Sequence, residues 1–204
     1  EPLFRSPGPL GLIVIALLCA CSATEPALNS DLIERRFGSY GVEVLYSSAE
    51  MRRASLYSVH DGQRICRTYA IVRWRPLPDS DADSSLAAAH ERIVDGASLG
   101  TTLRSAGWTL EKRTRFTGEL PALTPDPAWL GLMSLDDSTG LAVHVYDVSV
   151  RNRMEVIEYA NIIEVHHPDY LGVGDLRSMY PVQMGDALDA STLEQVFDWL
   201  SASP

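Results

Sequence analysis

Between Arg52 and Trp74 lie two β-rich runs that mix apolar and polar residues, interrupted once by the polar His60-Asp61-Gly62-Gln63. Asp-Gly supplies the positive φ angles that a two-residue hairpin turn requires. The two runs are therefore predicted to fold back on each other, with Tyr57 opposite Cys66 and Ser55 opposite Thr68. In that register Cys66, Thr68, Ala70, Val72 and Trp74 share one face, and Arg67, Tyr69, Ile71 and Arg73 share the other. A second long hairpin is predicted from Leu141 to Val150 and Met154 to Val165, around Arg151-Asn152-Arg153. Shorter strands are expected at Gly41 to Tyr46, at Trp108 to Gly118 and at Trp129 to Leu135. In the second of these, Trp108, Leu110 and Phe116 alternate with Glu111, Arg113 and Arg115, which gives a solvated charged face.

Helical spacing appears elsewhere. Ser30 or Asp31 is expected to cap a brief helix through Phe37, which Gly38 ends. Leu86, His90 and Ile93 form one stripe of a helix that starts at Ser84 and stops at Gly96. A shorter helix runs from Ser98 to Ala106 and closes on Gly107. Near the C-terminus Ser191 and Glu194 have the spacing of a capping box, ahead of an apolar stripe of Leu193, Val196, Phe197 and Leu200 that should cover a sheet face. Strands joined as hairpins and set apart from most helices predict an α+β fold: an antiparallel β-sheet built from two long hairpins with flanking helices.

Leu10 to Leu18 is an apolar run, LGLIVIALL, too short for the about 20 residues that span a bilayer. Its length suits the apolar region of a secretory signal. The chain opens on Glu1 and not Met, so the basic region ahead of the run is expected to begin upstream. Leu18-Cys19-Ala20-Cys21 resembles the lipobox of bacterial lipoproteins, with Leu at −3 and a small residue at −1 before the cysteine. Cys21 fits the lipidated position; Cys19 does not, because Leu18 is too bulky for −1. The resemblance implies a signal peptide over 1–20, a lipidated cysteine and tether over 21–29, and a single domain over 30–204. Ser22 after the cysteine resembles the residue that sends such proteins to the outer membrane, so a lipid anchor facing the periplasm is implied. The alternative is ordinary cleavage after Ala23, which gives a soluble periplasmic protein.

Once 1–20 is removed, Cys66 is the one thiol besides the lipidated Cys21, so no disulfide framework is expected. A small apolar setting predicts low reactivity for Cys66. The formal net charge of −10 makes nucleic acid an unsuitable partner. Charge is unevenly placed, net +3 over residues 29 to 75 and net −12 over 76 to 204, which two packed parts of one fold would compensate. Lys112 is the only lysine, as a GC-rich genome would give.

The densest chemistry lies in Glu164-Val165-His166-His167-Pro168-Asp169-Tyr170. On a strand His166 and His167 point to opposite faces, so the two cannot grip one ion. Glu164 and His166 share a face, and His144 lies on the partner strand. A metal site drawn from His144, Glu164, His166, His167 and Asp169 therefore requires the hairpin register to bring its members together. A simpler reading makes Pro168 and Asp169 a turn that ends the strand. Asp79, Asp81 and Asp83 resemble the start of a calcium loop, but Ser84 and His90 stand where glycine and the bidentate glutamate belong. His90-Glu91 begins like a zinc-protease helix, but Val94 replaces the second histidine. No nucleophile elbow, phosphate loop or dinucleotide fingerprint occurs. The expectation is a cell-envelope lipoprotein with a non-enzymatic binding or structural role, no cofactor, and an envelope protein as partner. The alternatives are a metal-dependent hydrolase using the His144/Glu164/His166 region and a carrier of a small apolar ligand.

Overall fold

Asp61 and Gly62 take up φ values of 49° and 78°, the turn that their sequence requires, and join β2 (Met51–His60) to β3 (Gln63–Trp74). The second hairpin, β5 (Ala142–Arg151) with β6 (Val156–His166), turns where the Asn152 side chain accepts the amides of Met154 and Glu155 at 2.7 and 2.9 Å. In this computed structural model, which describes residues 28–77, 84–123, 127–138 and 140–202, β3 pairs with β6. The hairpins therefore lie side by side, flanked by β1 (Gly41–Ser47) and β4 (Thr109–Glu119) in a six-stranded antiparallel sheet of order β1-β2-β3-β6-β5-β4. With α1 (Asn29–Phe37), α2 (Ser84–Val94), α3 (Leu99–Ser105), α4 (Val173–Met179) and α5 (Ala190–Ser201), the fold is α+β as predicted. The expected leader, Cys21, most of the expected tether and the segment with Asp79, Asp81 and Asp83 lie outside the described residues. Among the described residues no helix is long and apolar enough to cross a membrane.

Both sheet faces are covered. Tyr69, Ile71, Val143, Val145, Ile163 and Val165 pack under α5, whose Val196 and Leu200 are buried as the apolar stripe predicts. On the opposite face α2 and α3 cover one end, over Val72, Val148 and Ile162. Residues from α1 and from the segment through α4 cover the other, around Ala142 and Tyr170. The functional features lie between these two groups of helices.

Four bulges reset the alternation. One leaves Arg67 without a partner on β2, so Tyr57 meets Cys66 as predicted but Ser55 meets Tyr69, not Thr68. Cys66 consequently packs with Tyr69 and Ile71, away from the face of Thr68, Ala70 and Val72. A second bulge at Arg115 turns Phe116 away from the face of Leu110 and into the core under α5. The others fall at Leu45 of β1 and Tyr159 of β6. The charged face of β4 is paired on the surface, Arg113 with Asp147 at 2.7 Å and Arg151 with Glu111 at 2.5 Å.

Other boundaries differ for local reasons. Trp129 to Leu135 is not a strand: Ala128–Met133 is a 3₁₀ helix whose backbone bonds are local. Its buried residues Trp129, Leu130 and Met133 have helical rather than alternating spacing, and Trp129 stacks on Tyr69 with ring centroids 5.0 Å apart. Asp189, not Ser191, caps α5 by accepting the Thr192 amide at 2.8 Å. Leu28 is the cap of α1, and Asp31 accepts its amide at 3.4 Å. The short α4 has no counterpart among the predicted helices.

Cys66 is 2% exposed, and burial pushes its thiol up to about 11, opposed by a hydrogen bond with Ser55. In the folded protein this thiol is expected to resist a chromogenic disulfide reagent at about pH 8, where a free cysteine reacts readily. It should react at once in denaturant, and prompt reaction of the native protein would contradict the burial.

Candidate functional site

One row across the sheet carries His144, Glu164, Ala70 and Ala54 as successive cross-strand partners on β5, β6, β3 and β2. The next row places Ala142, His166 and Thr68 side by side. The hairpin register thus brings His144 directly opposite Glu164, the condition that the sequence left open. All three groups are buried, with His144 and His166 each 1% exposed and Glu164 5%.

Glu164 is surrounded by donors. Its Oε1 accepts the Asn29 side-chain amide at 3.1 Å, and the Tyr146 hydroxyl also donates to the carboxylate. Asn29 is held in turn by the Tyr170 hydroxyl, which donates to its Oδ1. Oε2 lies 3.9 Å from His144 Nδ1 and 3.8 Å from His166 Nε2. The far nitrogen of each ring meets a hydroxyl, His144 Nε2 at 3.2 Å from Thr114 Oγ1 and His166 Nδ1 at 3.0 Å from Thr68 Oγ1. His166 Nε2 is buried with no hydrogen-bond partner.

Lys112 belongs to the same cluster. Its ammonium lies 4.6 Å from the Tyr146 ring centroid and 5.7 Å from that of Tyr180. Part of the residue reaches the surface, but burial of the ammonium lowers its pKa while the Glu164 charge opposes the shift. Burial lowers His144 to about 2, helped by the charges of His166 and Lys112. It lowers His166 to about 4, against the pull of Glu164. Burial and the adjacent carboxylate raise the Tyr146 hydroxyl well above its ordinary value. Both imidazoles are therefore neutral at physiological pH.

The remaining candidates lie elsewhere. His167 and Asp169 sit in the predicted turn, closed by the Tyr170 amide donating to the His167 carbonyl at 2.8 Å. The Asp169 amide donates to His167 Nδ1 at 3.0 Å, and its carboxylate lies 3.9 Å from Arg67. The structure thus joins His144, Glu164 and His166 and leaves His167 and Asp169 outside. His90, placed on a helix stripe by the sequence, is bonded to the Tyr159 hydroxyl at 2.9 Å.

A cavity of about 90 Å³ lies beside the cluster. Its floor includes Ala54, Ala70, Val72 and Ile162, and its roof comes from Leu28 to Ser30 and Ser98 to Gly100. The facing alanines leave the sheet short of side-chain volume. At Gly100 a Cβ would come within 2.7 Å of Leu28, so glycine lets α3 approach α1. Lys112, Tyr146 and Glu164 line one side, and Arg52 another. Arg52 is 4% exposed and donates through Nη1 to the carbonyls of Ile93 and Ala97, both at 2.8 Å. Its Nε has no partner, and the ionisable groups that support its charge are the Tyr40 and Tyr159 phenols, not a carboxylate. Sequence reading passed over Lys112, Arg52, Asn29 and Tyr146. The usable signal for Lys112 was its place between Leu110 and Thr114 on an inward-facing alternation.

No family model matches the chain, and no curated protein matches it. A solved structure from Streptomyces coelicolor, provisionally described as a transcriptional regulator, aligns over 66% of this chain and 90% of its own at 13% identity, with a TM-score of 0.39. Likeness at that level carries no argument about fold or function.

The neutral histidines link stability to pH. An unfolded imidazole titrates near 6.5, so between that pH and about 4 the unfolded chain binds more protons than the fold, whose His166 has fallen to about 4 and His144 to about 2. Stability is fully present above pH 6.5 and declines as the pH falls, by at most about 1.4 kcal/mol per pH unit for each histidine. Urea midpoints are expected to drop between about pH 7 and 5, and a flat profile there would oppose the burial of both rings as neutral groups.

Proposed function

We propose that this chain is an envelope-anchored binding protein that holds the end of a small anionic amphiphile in the cavity between its sheet and the helices α1 and α3. The observation that carries the proposal is an apolar-walled cavity into which a buried arginine brings a charge unmatched by a nearby carboxylate. Arg52 and Lys112 contribute two formal positive charges to its lining and Glu164 one negative, so a single anionic head group balances the site. Its volume is smaller than the about 150 Å³ of a cavity that takes up benzene, so the enclosed part of the ligand is a short chain and not a ring or a whole lipid.

Anchoring through Cys21, in the outer membrane and facing the periplasm, rests on the lipobox resemblance of Leu18 to Cys21. With an envelope location, such a domain sits among amphiphiles of the required chemistry. Binding is favoured over hydrolysis because, of the five candidate metal ligands, only Glu164 lines the cavity. Neither histidine of the cluster stands where a cavity ligand's reacting atom would be.

The test is thermal unfolding of the chain carrying Cys21→Ser, with short-chain carboxylates beside the matching neutral amides. The acids are expected to raise Tm by several degrees and the amides to leave it unchanged. Ala70→Leu, which fills the cavity from the sheet, should abolish the acid effect and leave the unliganded protein as stable or more stable, by up to about 2 kcal/mol. Acids that give no shift, or an undiminished shift in Ala70→Leu, would remove the proposal.

A further inference from the structure

We propose that His144, Glu164 and His166 form a binding site for a divalent transition-metal ion, with zinc the best match to two imidazoles and one carboxylate. The inference is independent of the cavity and goes beyond ligand binding there. Three features carry it. One donor atom from each residue lies within 4.8 Å of the others, and all three residues are buried. Glu164 Oε2 is 3.9 and 3.8 Å from the facing histidine nitrogens, too far for hydrogen bonds. Donors bound to zinc at about 2.0–2.1 Å stand about 3.3–3.6 Å apart, so an ion between them would draw each inward by only a few tenths of an ångström.

The second feature is the unpartnered His166 Nε2, a buried polar atom aimed at that space. An orphaned ring nitrogen costs stability in a protein core, and a metal bond would remove the cost. Third, the outward nitrogen of each ring is held by a threonine hydroxyl, Thr114 for His144 and Thr68 for His166. Such outer hydrogen bonds orient metal-binding histidines and fix which nitrogen faces the ion. Tyr180, stacked on His144 with ring centroids 4.5 Å apart, restrains that ring further.

Lys112 opposes a dication. Its charge is near enough to lower the pKa of both histidines, so it sets an upper limit on affinity.

The experiment measures metal uptake by the purified full chain after chelator treatment, with zinc titrated calorimetrically and cobalt(II) followed by its visible absorption. One zinc per chain is expected, with a cobalt spectrum of low coordination number. Glu164→Gln keeps the shape of the side chain and removes its charge, and should weaken zinc by at least about tenfold. His166→Gln should do the same, with circular dichroism confirming that each variant is folded. Lys112→Met is expected to tighten binding, a gain that damage to the fold does not produce. His167→Ala, outside the cluster, should bind as the parent does. No stoichiometric zinc or cobalt uptake, or uptake that survives both Glu164→Gln and His166→Gln, overturns the assignment.

Discussion

A carboxylate buried on a sheet face costs several kcal/mol unless donors and counter-charge surround it, and Glu164 imposes that demand on most of the fold. Asn29 reaches it from the first turn of α1, Tyr146 from the neighbouring strand, and the Lys112 ammonium attracts it from the edge strand. Tyr170, beyond the end of β6, steadies Asn29. Segments far apart in sequence thus have to arrive together, or the charge is left exposed to an apolar interior. The carboxylate helps keep Tyr146 a phenol, whereas the two histidines stay neutral because burial outweighs any pull from it.

What makes this convergence possible is the pairing of β3 with β6. Each hairpin closes locally, at low entropic cost, through its own turn. Their junction is long-range and sets Ala70 against Glu164 on one side, while the second hairpin sets His144 against it on the other. The bulky polar row therefore continues into two alanines, and a crowded charged cluster adjoins an open space. Arg52 completes the enclosure by bonding carbonyls at the end of α2 and just after it, fastening those helices over the sheet at the cavity's margin.

Much of the fold was legible in the sequence because it depends on local chemistry. Asp61-Gly62 announced one hairpin, the β-rich runs announced all six strands along with a false one at Trp129 to Leu135, and the Val196/Leu200 stripe announced the covering helix. The bulges were not legible. A skipped residue at Arg67 or Arg115 is invisible to a period-two reading, yet each reverses the face of everything on one side of it. Cys66 and Phe116 were misplaced for that reason. The site was legible in part: Glu164, His166 and His144 were singled out, but the register that joins them depends on a bulge at Tyr159 and could not be deduced from spacing. Lys112 and Arg52 escaped because an isolated basic residue looks the same in sequence whether it points to water or to a buried cavity.

The bulges at Leu45 and Arg115 lie on β1 and β4, the two outermost strands. A flat, regular outer strand offers a row of unpaired amides and carbonyls on which another chain can build. Here each border is kinked where one residue is left out of the ladder, and β4 also carries Glu111, Arg113 and Arg115 along its length. The irregularities that orient side chains within the sheet also give it two poor templates for further growth. A protein held at high local density on a surface would gain from such borders, since neighbouring copies would find no continuous strand to extend.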